Sequence, residues 1–166
     1  MEAVIIKPMH PEHWEQVKHI YESGIATGIA TFETAAPSWE QWTAGHLSFG
    51  RLVAVENNKV AGWAALSPVS GRCVYGGVAE VSIYVADHYK GKGVGTLILE
   101  RLISESEENG IWTLQAGIFS ENIPSIRLHE KVGFRVIGYR EKIGKLGDTW
   151  RDNCILERRS KIVGTD

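Results

Sequence analysis

The middle of the chain carries the segment that most restricts its fold. An alternating run, Ala79-Glu80-Val81-Ser82-Ile83-Tyr84-Val85, leads through Ala86-Asp87-His88-Tyr89 into Lys90-Gly91-Lys92-Gly93-Val94-Gly95-Thr96. A long amphipathic stretch follows. A period of two marks a strand, with Glu80, Ser82 and Tyr84 on one face and Val81, Ile83 and Val85 on the other. The stretch from Gly93 to Asn109 is predicted to be a helix burying Val94, Leu97, Ile98, Arg101 and Leu102, with Gly110 as its C-terminal stop. A helix N-terminus offers unpaired N–H groups and a partial positive charge, which attract phosphate. Glycines let the backbone adopt positive φ and approach a ligand closely. Lys90 and Lys92 add cationic side chains. The turn is not a Walker A loop, which needs GxxxxGK[ST], and its GxGxG spacing differs from the GxGxxG of a dinucleotide fold. A ligand-free strand-to-helix turn remains the alternative.

The flanking segments set the architecture. Ala3 to Ile6 reads as a short strand. A helix opens at His10 or Pro11, carries Trp14, Val17, Ile20 and Tyr21 at helical spacing, and ends near Gly24. A second helix follows Pro37, with Ser38 as N-cap. Arg51 to Glu56 and Lys59 to Leu66 form a hairpin turning at Asn57-Asn58. Pro68 to Gly77 is a loop. Ile111 to Ile118 is a strand, Ile123 to Lys131 a helix stopped at Gly133, and Phe134 to Ile143 with Thr149 to Glu157 a closing hairpin. Two strand–helix–strand crossovers among antiparallel hairpins imply a mixed, mostly antiparallel α/β sheet with helices on both faces.

The 166 residues suit a single domain spanning 1–166. A net charge of −2 gives no basis for a nucleic-acid partner. The start, Met1 to Lys7, is unlike a signal peptide, and no apolar run approaches the roughly 20 residues that span a bilayer. A cytoplasmic setting without a membrane partner is expected. The two cysteines, Cys73 and Cys154, have no metal-ligand spacing and read as reduced thiols; no metal site is expected.

The glycine turn resembles the cofactor loop of the GCN5-related N-acetyltransferases, [Gln/Arg]-x-x-Gly-x-[Gly/Ala]. Lys90 stands at the first position, and Gly93 and Gly95 at the small ones. Lysine there keeps the charge but loses the planar fork of arginine. Downstream, Asn122-Ile123-Pro124-Ser125-Ile126-Arg127-Leu128-His129-Glu130-Lys131-Val132-Gly133-Phe134 is similar to that family's second segment. The resemblance covers essentially the whole chain. Within the family it is greatest toward phosphinothricin and methionine sulfoximine acetyltransferases, carried by Ala30-Thr31-Phe32-Glu33, Gly71-Arg72, the Ala79–Val85 strand and Pro124 to Glu130.

The resemblance implies acetyl-CoA as co-substrate, a small amine or amino acid as acceptor, and a homodimer. It implies a splay between the Glu80–Val85 and Leu114–Ile118 strands, with Ile83 and Val85 pairing with the pantetheine arm. Gly91, Gly93, Gly95 and Thr96 would hold the pyrophosphate beside Lys90 and Lys92, and Asn122 the pantetheine. Ser125 has both a cofactor-contact and a helix-capping reading. Glu80 is the candidate general base, against the alternative of a structural ion pair. His129 is the candidate proton donor to the thiolate, against a packing role, with Tyr84 as a substitute. Arg72 would fork onto an acceptor carboxylate, with Phe32, Glu33 and Tyr75 lining the pocket. Trp150, Arg151 and Asp152 would reach a site across a dimer contact, and most of the six tryptophans would serve packing. Acetylation of a protein N-terminus or an aminoglycoside, and non-catalytic acyl-CoA binding, are the alternatives.

Overall fold

The computed structural model describes residues 3–166. Met1 and Glu2, part of the terminus considered above, lie outside the described residues. The strands are β1 (Ile5–Pro8), β2 (Leu52–Glu56), β3 (Lys59–Pro68), β4 (Val78–Val85), β5 (Thr113–Phe119), β6 (Arg135–Leu146) and β7 (Thr149–Arg159). The helices are α1 (Trp14–Ala26), α2 (Trp39–Gly45), α3 (Val94–Glu108) and α4 (Ile123–Lys131). The strands form one seven-stranded sheet in the order β1-β2-β3-β4-β5-β7-β6. Only the β4–β5 pair is parallel, so the expected mixed, mostly antiparallel sheet is what forms.

Local chemistry explains most boundaries. Asn57 and Asn58 turn the β2–β3 hairpin with φ of 51° and 62°, the left-handed pair that a two-residue hairpin needs. Ser38 caps α2: the Gln41 N–H donates to Ser38 Oγ, and the Ser38 N–H donates to Gln41 Oε1, both at 3.2 Å. α1 departs from expectation at both ends. Pro11–His13 forms a separate 3-10 turn, and the helix runs through Gly24 to Ala26. Gly24 does not take the left-handed φ that ends a helix, which Gly28 takes at 72°, and a Cβ on Gly24 would meet Tyr84 Cδ1 at 2.6 Å.

The sheet has a core on each face. On one, α3 packs Ile98, Leu99 and Leu102 against Leu52, Ala64, Leu66 and Leu156. On the other, α1 and α2 pack Val17, Ile20 and Trp42 against Val53, Val60 and Trp63. Four of the six tryptophans (Trp14, Trp39, Trp42 and Trp63) gather there, with Tyr21 and Tyr84 against them. Two expectations for α3 are corrected. Leu97 is 46% exposed and Arg101 also faces solvent, while Gly95, Leu99, Ile103 and Ser106 are buried instead. Gly95 closes on Leu128 of α4, where a Cβ would come to 2.9 Å. α3 is thus rolled toward α4, and the flank bearing Leu97 and Arg101 turns outward.

Candidate active site

The β4–β5 ladder is confined to Val78–Glu80 opposite Thr113–Gln115. β4 continues to pair with β3 as far as Val85, and β5 with β7 as far as Phe119. Beyond Glu80 the two strands therefore part, as expected for the splay. The Ala86 N–H donates to the Ala61 carbonyl on β3 at 2.8 Å. Backbone groups alternate in direction along a strand, so those of Ile83 and Val85 point away from β3 into the gap. The gap is a cleft of about 930 Å³, walled by residues 80–85 of β4, 116–119 of β5, the glycine turn and the first turns of α4. Residues 29–33, which follow α1, flank it.

At the mouth, Gly91 (φ 75°) and Gly93 (φ 82°) adopt the left-handed conformation, Gly93 as N-cap of α3. No other atom lies within 4 Å of a Cβ built on either, so backbone conformation rather than crowding requires glycine. This open, N–H-rich helix start fits a diphosphate, and the unpaired β4 edge fits an amide-bearing arm. Lys90 lines the cleft and pairs with Asp87 at 2.8 Å; that contact holds the Asp87 carboxyl below its usual range. Gly95 and Thr96 also line the cleft, whereas Lys92 lies 5.9 Å over the Tyr89 ring and outside it.

Asn122 and Ser125 border the cleft and also build α4. Asn122 Oδ1 accepts from the Ser125 N–H at 3.4 Å, and the Ser125 carbonyl lies 2.7 Å from His129 Nδ1. A carbonyl only accepts, so Nδ1 carries the proton and the neutral ring has none on Nε2. Burial lowers the His129 pKa, opposed by the Ser125 bond. In that tautomer Nε2 can only accept, so the proton-donor role expected of His129, which lines the cleft, requires a protonated ring, and burial disfavours that form. Tyr84 lines the cleft too, but burial, with Tyr21 nearby, raises its hydroxyl pKa well above the ordinary value.

Glu80 stands where the strands begin to part. Gln115, directly opposite in register, donates from Nε2 to Glu80 Oε1 at 3.4 Å. No ion pair to Glu80 forms among the described residues. Phe32 packs edge-on to Phe119 at 4.6 Å, and Phe32 and Glu33 both line the cleft. Arg72 and Tyr75, expected in the same pocket, lie elsewhere. The 3-10 turn Cys73–Tyr75 carries Tyr75 into a second pocket of about 480 Å³ beside Trp112, Gln115 and Glu157, with the Arg72 guanidinium 5.6 Å over its ring. Arg151 and Asp152 are engaged within the chain. Arg151 donates to the Gly28 carbonyl at 2.8 Å and lies 4.6 Å over Phe119; Asp152 accepts from the Tyr139 hydroxyl and the Lys142 N–H. Sequence reasoning missed Gln115, Gly117 and Asn153. Gly117 inside a strand was the available signal, because a strand glycine often marks a close approach.

Residues 12–134 match the model of the acetyltransferase (GNAT) family. The chain belongs to this family. YwnH of Bacillus subtilis, named for candidate phosphinothricin acetyltransferase activity, is 36% identical over 149 residues, covering 87% of this chain and 91% of its own. The L-methionine sulfoximine/L-methionine sulfone acetyltransferase of Salmonella typhimurium is 36% identical over 111 residues, covering 67% of this chain and 65% of its own. The structure of yncA from Salmonella typhimurium with its cofactor acetyl-CoA superposes with a TM-score of 0.88 at 25% identity, covering 99% of each chain. As a GNAT member this chain is an N-acetyltransferase. No helix among the described residues is long and apolar enough to cross a membrane.

Three histidines give the GNAT fold a predictable acid sensitivity. Burial lowers the pKa of His129, His46 and His13, with nearby Arg51 adding to it at His46 and Lys7 at His13. In the unfolded chain each titrates near 6.5. The unfolded state therefore binds protons first as pH falls, so the contribution of these neutral imidazoles to stability is full above about pH 6.5 and is lost as pH drops toward the lowered native values. Thermal unfolding at pH 7.5 and pH 5.5 should show a lower Tm at the acidic pH. His129→Phe should reduce that difference, whatever it does to the Tm at pH 7.5.

Proposed function

We propose that the chain transfers the acetyl group of acetyl-CoA to the amino group of a small amino acid or analogue of the phosphinothricin or methionine sulfoximine type, with Glu80 as general base. The observation that carries this reading is the parting of β4 and β5 immediately beyond Glu80, which brings a carboxylate and an unpaired strand edge to one cleft. Bound there, acetyl-CoA supplies an acetyl group activated as a thioester. The N–H groups of the glycine turn and the start of α3 hold its diphosphate, with Lys90 alongside. The inward-facing backbone groups of Ile83 and Val85 align its arm as an added strand would. The acceptor amine is mostly protonated near neutral pH and must lose a proton to attack. The Glu80 carboxylate, held in place by Gln115, takes that proton; the neutral amine forms a C–N bond at the thioester carbon, the C–S bond breaks, and CoA leaves as its thiolate, which takes up the second proton of the amine. Phe32 and Glu33 close the acceptor side. The names of the two relatives support this acceptor class.

The same reading includes a homodimer. β6, at the sheet edge, and its hairpin partner expose Val136, Ile137, Tyr139, Ile143 and Trp150, each between 45% and 58% accessible. Sedimentation should give twice the monomer mass, and Trp150→Glu should shift it toward one.

The decisive experiment is thiol release from acetyl-CoA across amino acids, phosphinothricin, methionine sulfoximine and N-terminal peptides. Turnover with the two analogues is expected. Failure with both, alongside turnover of peptides, would replace the acceptor class.

A further inference from the structure

Asn153 lies on β7 directly opposite Phe119, and Ile155 lies opposite Gly117. Directly paired residues of an antiparallel ladder share a face, and the parallel pairing sets Gln115 beside Glu80. Gln115, Gly117, Phe119 and Asn153 therefore occupy the Glu80 face of the sheet, where Gly117 and Phe119 line the cleft. Asn153 lines that cleft. Its amide fills the space that Gly117 leaves by having no side chain: a Cβ on Gly117 would come 3.1 Å from Asn153 Nδ2. Its Oδ1 is buried and, among the described residues, has no hydrogen-bond partner. Buried side-chain acceptors are nearly always paired, and leaving one bare in a ligand cleft costs stability unless a ligand supplies the donor. Phe119, its partner across the ladder, is apolar and supplies none.

We propose that Asn153 is a specificity-determining residue whose Oδ1 accepts a hydrogen bond from an N–H or O–H group carried on the acceptor substrate's side chain. This rests on the reading of the cleft as an acetylation site for small amino acids. The chemical class selected is an amino acid whose side chain ends in a donor; phosphinothricin, whose ionised phosphinate only accepts, should turn over more slowly than methionine sulfoximine. Methionine sulfoximine and methionine sulfone are a matched pair for this purpose. They are nearly isosteric, and only the sulfoximine has an N–H. A bare acceptor should favour the sulfoximine, since a site built to bond a donor rejects the analogue lacking it.

The test is kcat/KM for both analogues with wild type and Asn153→Leu, a near-isosteric apolar replacement, together with KM for acetyl-CoA and Tm. Wild type is expected to prefer the sulfoximine by about tenfold, a typical discrimination for one hydrogen bond. Asn153→Leu should bring the ratio near one, with KM for acetyl-CoA within twofold. An unchanged ratio in the variant overturns the proposal, as does a wild-type preference for the sulfone. An equal loss for both analogues accompanied by a fallen Tm also overturns it, because a structural role would act that way. If neither analogue is acetylated, the acceptor reading fails separately. The ratio is then measured on threonine and valine, a hydroxyl-bearing and hydroxyl-free pair. Loss of a threonine preference in Asn153→Leu supports the proposal there, and an unchanged ratio overturns it.

Discussion

Glu80→Gln is expected to lower kcat by about 10²- to 10³-fold, within the range of a lost general base, with KM for acetyl-CoA within twofold of wild type. Glutamine keeps the size of the side chain, and its amide oxygen can still accept from Gln115 Nε2, now 3.4 Å from Glu80 Oε1. It cannot take a proton from an ammonium group. Cofactor affinity should survive because the strand edge and the glycine turn are built from backbone groups that the substitution leaves alone. The pH dependence provides a second readout. Below the acceptor's own pKa, the fraction of neutral amine grows about tenfold per pH unit. The variant relies on that fraction, so its deficit should shrink as pH rises. A variant within threefold of wild type at pH 7 would remove Glu80 from the role of base.

Trp63→Ala is expected to give the largest loss of stability. Trp63 is 1% exposed on β3 and touches three aromatic rings: Tyr84 at 5.0 Å, Tyr21 at 5.4 Å and Trp42 at 5.8 Å between centroids. Removing an indole from such a site loses its transfer energy and leaves a cavity, together about 3–5 kcal/mol. For a chain of this size that corresponds to a fall of roughly 10 °C in Tm. Trp63→Phe should cost much less, about 1–2 kcal/mol, since it retains one ring and most of the contacts. It also removes the indole N–H, which is buried without a partner among the described residues. Thermal melts of the two variants check the contrast; equal losses would show that ring stacking contributes little at this position. The effect should reach the cleft as well, because Tyr84 stacks on Trp63 at 18° and lies between Ile83 and Val85, whose backbone groups face the gap.

Much of this was legible in the chain. The period-two run at 79–85, the glycine turn, the Asn57-Asn58 hairpin, the Ser38 cap and the glycine stops at Gly110 and Gly133 each depend on chemistry within a few residues. Errors arose where one pattern served two purposes. The helix expected to end near Gly24 runs on to Ala26, with Gly24 a contact point for Tyr84, and Leu97 has the spacing of a buried residue but faces solvent on a helix whose Gly95 closes on α4. His129 shows the same limit for chemistry. A histidine reads as a proton donor near neutral pH, but burial lowers the pKa of this one against the opposing Ser125 bond, and the Ser125 carbonyl keeps the proton of the neutral ring on Nδ1.

The elements, their order and the glycine-lined helix start are thus readable along the chain, because capping, turn conformation and side-chain alternation are local properties. Which groups meet at the cleft depends on how distant strands align. Gln115 reaches Glu80 across 35 positions of sequence, Asn153 fills the space beside Gly117, and Tyr75, under the Arg72 guanidinium, falls into a separate pocket. Those outcomes follow from strand register and from the point at which β4 and β5 cease to pair. A shift of one residue in register would turn Glu80 to the opposite face of the sheet, and no local pattern encodes that alignment.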